Sequence, residues 1–328
     1  MSKLFWVTLS LVKGLGNSGI VKLYRHNPSA DFSHLSNPNF ITVVNKNVQE
    51  LLTDQSYMQK TKEKALCHIE AHEQKDITVI PINSDYYPPL LQLINDAPAV
   101  IYAKGNFELL KGNKMLAIVG TRKPTRIGIA SAKKIASTFA QRDYTIVSGL
   151  ALGIDTAAHQ GALQVKEGKT LAVLAGDLTK IYPIENKGLS KEILKKNGLL
   201  ISETPIETQN NKGNFVKRDR IQSALALGVC PVQTPLKGGT QHTIKFAKKF
   251  QRFLFTPIPL EQEESAVQGN LELISNGTPV LDSVECYDTF DEEMKKTYQT
   301  LIERISVNTP TNQANSMKMA NYKQSSLF

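Results

Sequence analysis

Between residues 115 and 257 short apolar runs alternate with longer amphipathic ones, and no other feature constrains the fold as tightly. Strands are expected at Met115–Gly120, Tyr144–Ser148, Thr170–Ala175, Leu199–Glu203, Val229–Gln233 and Phe253–Pro257. Helical spacing fills the gaps, near 127–141, 155–166, 187–197, 219–227 and 240–251. Short strands joined by helical crossovers predict an α/β fold, a Rossmann-like, doubly wound parallel sheet. In such sheets ligands sit outside the carboxyl ends of the strands, so the turns there are where function is sought.

The flanking segments differ in character. Residues 1–75 are expected to form a small helical domain, in which "LVKGLGNSGIVKLY" sets apolar residues at helical spacing on both sides of Gly14-Leu15-Gly16-Asn17. That turn fits a helix-hairpin-helix contact to DNA phosphate or a plain connector. Residues 76–290 form the second domain, an extension over 76–114 and a core over 115–290. Residues 291–328 are a helix and a flexible tail, polar from about 306. The 328 residues, 41% hydrophobic and 21% charged, suffice for two domains. No apolar stretch approaches the ~20 residues of a membrane span, and no signal peptide is evident. Cys67, Cys230 and Cys286 have no metal or disulfide spacing, so a reduced cytoplasmic protein is expected.

The strand-end turns pose the question of whose phosphate they hold. Gly120 and Gly128 do not make a GxGxxG spacing, the strand ending Val147-Ser148-Gly149 supplies no acid for a ribose, and no Walker lysine is present. No dinucleotide or nucleoside triphosphate cofactor is therefore expected. The edge instead gathers Gly120-Thr121-Arg122, Ser148-Gly149, Lys217, Arg218 and Arg220 of "NFVKRDRI", and Gly239-Thr240 of "LKGGTQHT". Arginine forks, hydroxyls and exposed N–H groups suit phosphodiester oxygens. Charge agrees: residues 208–260 hold nine lysines and arginines and one acid, Asp219, whereas 261–300 hold ten acids and two lysines. A polyanionic partner is expected at the basic block.

"IVGTRKPTRIG", "SGLALGIDTAAHQGAL", "YPIEN", "GLLISETP" and "FVKRDRI", in that order, resemble the DprA/Smf family of DNA-processing proteins, from the N-terminal helices to about Ser283. The resemblance implies a Rossmann-like domain that binds single-stranded DNA, forms a homodimer and loads a RecA-type recombinase during natural transformation. It places Arg122, Ser148, Gly149, Arg218 and Arg220 in the DNA pocket, with Lys187 beside the "YPIEN" turn. Departures include Asp219 between the two arginines, where repulsion of phosphate is expected. Asp177 and Thr179 precede the YP turn, Gln233 replaces an acid, and there is no room for a C-terminal winged helix.

Other constellations are assigned plainer roles. Asp155 and His159 lie four apart at a helix start, and the acid is expected to serve the helix N-terminus while His159 packs. Cys67, His68 and His72 of "CHIEAHE" are expected on a solvated helix face, and Lys245, Lys248, Lys249 and Arg252 form a basic stripe. An enzymatic alternative, a nucleotide hydrolase, would need a glutamate after "LKGGT", where His242 and Thr243 stand. No catalysis is expected, although a nucleotide-derivative sensor remains an alternative. The last residues, Gln324-Ser325-Ser326-Leu327-Phe328, resemble the Q-x-x-L-F peptide that docks on the DNA sliding clamp.

Overall fold

A computed structural model describes residues 2–208, 212–262 and 264–308. Five helices come first: α1 (Ser2–Ser10), α2 (Asn17–His26), α3 (Pro38–Ile41), α4 (Lys46–Thr53) and α5 (Gln55–Glu73). Side-chain caps fix several of their starts: Asn37, Asn45 and Asp54 each accept a backbone N–H of the helix they precede. The extension then supplies β1 (Thr78–Pro81), α6 (Pro89–Gln92) and β2 (Val100–Gly105).

The expected alternation follows: β3 (Met115–Val119), α7 (Arg126–Gln141), β4 (Thr145–Ser148), α8 (Ile154–Leu163), β5 (Lys169–Val173), α9 (Lys187–Lys195) and β6 (Leu199–Ser202). After it come α10 (Lys212–Leu225), β7 (Gly228–Pro231), α11 (Thr240–Lys249) and β8 (Phe253–Leu254). One eight-stranded sheet has the order β1-β2-β6-β5-β4-β3-β7-β8, with β3 to β8 parallel among themselves. The extension adds two antiparallel strands at the β6 edge. The expected last strand divides: Phe253–Leu254 stays in the sheet, while Thr256–Pro257 (β9) leaves it to pair with Val280–Leu281 (β10). Pro257 has no N–H to extend a ladder.

Strand alternation sorts the core into two layers. Ala117, Val119 and Val147 join Ile221 and Leu225 of α10 and the apolar residues of the N-terminal helices, including Phe5 and Trp6. Leu116, Ile118 and Ile146 face the other way, onto α7, α8 and the final helix α13 (Cys286–Asn308), which follows the short helix α12 (Gln268–Ser275). Helix α13 therefore begins before residue 291 and continues past the expected start of the tail. The Gln324, Leu327 and Phe328 motif and most of the expected tail lie outside the described residues.

The "CHIEAHE" histidines are not on a solvated face: His72 is fully buried and stacks on Tyr102, 4.4 Å between ring centroids. Its Nδ1–H donates to the His68 carbonyl and its Nε2 accepts the Ile206 N–H at 3.1 Å, tying α5 to the loop after β6. Among the described residues no cluster of metal-ligating side chains exists. Arg252 also leaves the basic stripe: it is 5% exposed and donates to the carbonyls of Ser223, Ala224 and Leu90.

His159 is enclosed in the core. Thr170 donates its hydroxyl to Ile146, so it accepts from the His159 Nδ1–H at 2.7 Å. Burial pushes its pKa down to about 3. As pH falls below 6.5 the unfolded chain takes up this proton and the folded chain does not, so stability is lost. Asp155, raised by burial to about 6, acts in the opposite direction. Unfolding free energies of wild type and His159→Asn between pH 6 and 4.5 should differ in pH slope by up to one proton, ~1.4 kcal/mol per pH unit. Equal slopes would show that His159 is protonated in the fold.

Candidate nucleic-acid interface

From β3 the chain steps outward through β4 and β5 to β6, then returns along α10 to β7, on the other side of β3. The strand order reverses there, and the cleft opens at the carboxyl ends nearby, as doubly wound sheets dictate. Its walls come from Arg122 after β3, Gly149, Ala151 and Leu152 after β4, Leu174 to Gly176 after β5, Lys180, Tyr182 and Pro183, and Phe215 and Arg218 of α10. Asn186 holds this frame, its amide donating to the carbonyls of Leu150 and Ala151.

Arg218 is the floor of the cleft. It is 7% exposed, and Nη1 donates to the carbonyl oxygens of Gly149 at 2.6 Å and Val173 at 3.2 Å. Its Nε donates to Asp219 at 2.9 Å, and Asp155 lies 4.0 Å from Nη1. Asp155 in turn accepts the N–H groups of Gly149 and Ala151. Burial raises the pKa of both acids, and Arg218 opposes the rise in each. Asp219 is thus buried against Arg218 and orients it, rather than standing free to repel a ligand. A Cβ at Gly149 would lie 1.5 Å from Arg218 Nη1, so a side chain there would displace the guanidinium from its carbonyl partners.

The mouth of the cleft is built differently. Arg122 is exposed and lies over the Phe215 ring, 5.4 Å from its centroid, and Tyr182 meets Phe215 edge-on at 6.1 Å. Tyr182 is 59% exposed, and Lys180 is exposed beside it. Phe215, Tyr182 and Lys180 were not among the residues expected from the sequence. Their signal was present, since two aromatics stand beside basic residues in polar stretches.

The remaining expected residues separate by position. Gly120 and Thr121 shape the turn, Gly120 packing against Ile154 and the Thr121 N–H donating to the Gln233 carbonyl. Ser148 is fully buried and donates to the Ile118 carbonyl, which takes it out of ligand reach. Lys217 is exposed on α10 near the cleft. Lys187 is exposed at the start of α9, and Gly239-Thr240 open α11; neither site lines the cleft. Arg220 has all five donors engaged inside the protein, by Asp96, Glu203 and the carbonyls of Asp96 and Lys217. It braces α10 against the extension and leaves no N–H for phosphate.

These features define a class: a Rossmann-like protein whose switch-point cleft presents cations and aromatic faces and carries no dinucleotide fingerprint. The model of the DNA recombination-mediator protein A family matches residues 78–290. The chain belongs to that family. It is 36% identical to the DNA processing protein DprA of Bacillus subtilis over 231 residues, 70% of this chain and 76% of that one. It is 32% identical to protein Smf of Synechocystis over 284 residues, 84% of this chain and 69% of that one. The X-ray structure of DprA from Streptococcus pneumoniae superposes with a TM-score of 0.69 at 29% identity, covering 85% of this chain and 94% of that one. DNA processing protein A from Helicobacter pylori, solved for its single-stranded DNA binding mode, gives 0.56 at 28% identity, covering 70% and 96%.

The buried pairing of Arg220 predicts a loss of stability when it is removed. Arg220→Ala leaves Glu203 and Asp96 without their buried cation and should cost ~3–5 kcal/mol of stability in urea unfolding. An Arg220→Ala protein as stable as wild type would refute the bracing role.

Proposed function

We propose that the protein binds single-stranded DNA at the cleft, without catalysis, and serves recombination by handling such strands. The observation that carries this reading is the cleft mouth: Arg122 over Phe215, Tyr182 edge-on, and Lys180 and Lys217 exposed nearby. A cation beside open π-faces accepts phosphate and base together and does so for any sequence. The single-stranded DNA named for the Helicobacter pylori relative agrees with this ligand class. A hydrolytic alternative lacks support, because Asp155 and Asp219 are both committed to internal hydrogen bonds and His159 is enclosed.

Loading of a RecA-type recombinase and homodimer formation belong to the same proposal, drawn from the family resemblance. Exposed Leu236, Ile258 and Leu260 offer apolar surface for such association. The Gln324–Phe328 segment is proposed to dock on the sliding clamp. A peptide of residues 316–328 should bind purified clamp at micromolar strength, and Leu327→Ala with Phe328→Ala should abolish it; a full-length protein that ignores the clamp removes this partner.

Labelled single strands titrated at several salt concentrations test the main reading. Affinity should exceed that for duplex and fall by ~0.7 log units per log salt for each phosphate neutralised. Arg122→Ala should weaken binding by ~1–3 kcal/mol. The same protein should release no base from nucleoside monophosphates. Equal duplex binding, flat salt dependence or base release would each overturn the assignment.

A further inference from the structure

The basic block of residues 208–260 is larger than the cleft uses. Helix α11 carries its remainder. Thr243, Ile244 and Ala247 face inward, while His242, Lys245, Lys248 and Lys249 are exposed. At 100° per residue, positions 242, 245, 248 and 249 fall on one face. Lys237 is exposed in the loop that leads into the helix. None of these lysines enters an ion pair among the described residues, and Asp219, the lone acid of the block, is buried against Arg218. A helix face with unpaired cations and no acid nearby in sequence is not the mixed-charge surface that solubility requires.

The face is continuous with the cleft. Helices α10 and α11 pack side by side, and the Ser223 hydroxyl donates to the Thr243 carbonyl at 2.9 Å, in the first turns of α11. Asp219 lies one turn before Ser223 on α10, beside the cleft floor at Arg218. His242 is therefore next to Asp219, whose carboxylate feels both His242 and Arg122. From this junction α11 runs ten residues, ~15 Å, away from the strand ends, with Lys245 and then Lys248 and Lys249 in sequence.

We propose that this face is a second, phosphate-only track for the same single strand, which passes from the cleft over His242 and along Lys245, Lys248 and Lys249. The proposal rests on the single-strand reading of the cleft. Ammonium groups on flexible stems carry no base selectivity, so the track takes the sugar–phosphate backbone of any sequence. The aromatics beside these cations, Phe246 and Phe250, are half-buried and stacked on each other, with Lys249 5.7 Å from the Phe250 centroid, so their faces are already occupied and the strand is held by charge. The cleft should then set the affinity of short strands, and the track should matter only once the strand is long enough to reach it.

The test compares two thymidine homopolymers, roughly 6 and roughly 30 nucleotides long, the first near the short end and the second well beyond the roughly 4–16 nucleotides that single-strand-binding modules cover. The full-length protein is used with a Lys245→Gln/Lys248→Gln/Lys249→Gln variant. On the long strand the variant should lose about two units of the log–log salt slope, three phosphates at ~0.7 each, and more than tenfold in affinity at low salt. On the short strand it should match wild type. A long-strand slope unchanged in the variant overturns the track alone. Equal losses on both lengths overturn it too, by showing a general field rather than a path. Wild-type protein that binds neither length overturns the single-strand reading beneath it. Lys248→Gln alone, with about a third of the slope change, keeps the test open should the triple variant fold poorly.

Discussion

The guanidinium of Arg218 is the interaction on which the rest of the cleft depends. The carboxyl ends of β4 and β5 leave carbonyl oxygens pointing out of the sheet, and Arg218 closes two of them at once. Such a fork is possible only because Gly149 has no side chain in its path. It is held by Asp219 on its own helix and lies near Asp155 in the first turn of α8. Removing the arginine would leave two buried acids whose pKa is already raised by burial. The cleft floor is thus a closed electrostatic unit, and ligand recognition falls to the groups above it.

A second cluster fastens the accessory segments to this unit. Arg220, two residues further along α10, pairs with Glu203 after β6 and Asp96 of the extension. Glu203 also meets the Asn17 amide, whose oxygen accepts the Ala99 N–H. The Gly14–Gly16 turn is therefore anchored through Asn17 against the main domain. With His72 bonded to the Ile206 N–H, both ends of the run of N-terminal helices are pinned near the loop after β6. A shift in that loop would be felt by α10, and so by the cleft.

The parallel sheet was legible because its central strands are apolar runs buried on both faces, bounded by glycine or polar turns. The two antiparallel strands of the extension were less so, being short and set among prolines. The site was read only in part, and α10 shows why. Its helix was expected from residue 219 but begins at Lys212, so "KRDR" lies inside a helix rather than at its start. Residues two apart on a helix point ~200° apart, which sends Arg218 to the cleft and Arg220 to Asp96 and Glu203. Ser148 was misplaced by the same kind of error: the turn begins after it, and its hydroxyl faces the core. Phe215 and Tyr182 come from segments distant in sequence, and only tertiary packing brings their rings together.

The fate of the basic block follows from the difference between its two residue types. Arg218, Arg220 and Arg252 are all at most 7% exposed, and each satisfies several carbonyl or carboxylate oxygens in the interior. A planar fork of five donors is suited to this, whereas a compact, strongly hydrated ammonium is not. The described lysines, from Lys217 and Lys237 to Lys245, Lys248 and Lys249, stay at the surface. Counting the block as one cationic surface therefore overstates its reach by three charges and misplaces its geometry. What remains outside is Arg122 with its aromatic neighbours and a set of lysines. On the proposed reading, one site supplies orientation and stacking, and the others supply charge without specificity. That division suits a protein that must hold strands of any sequence.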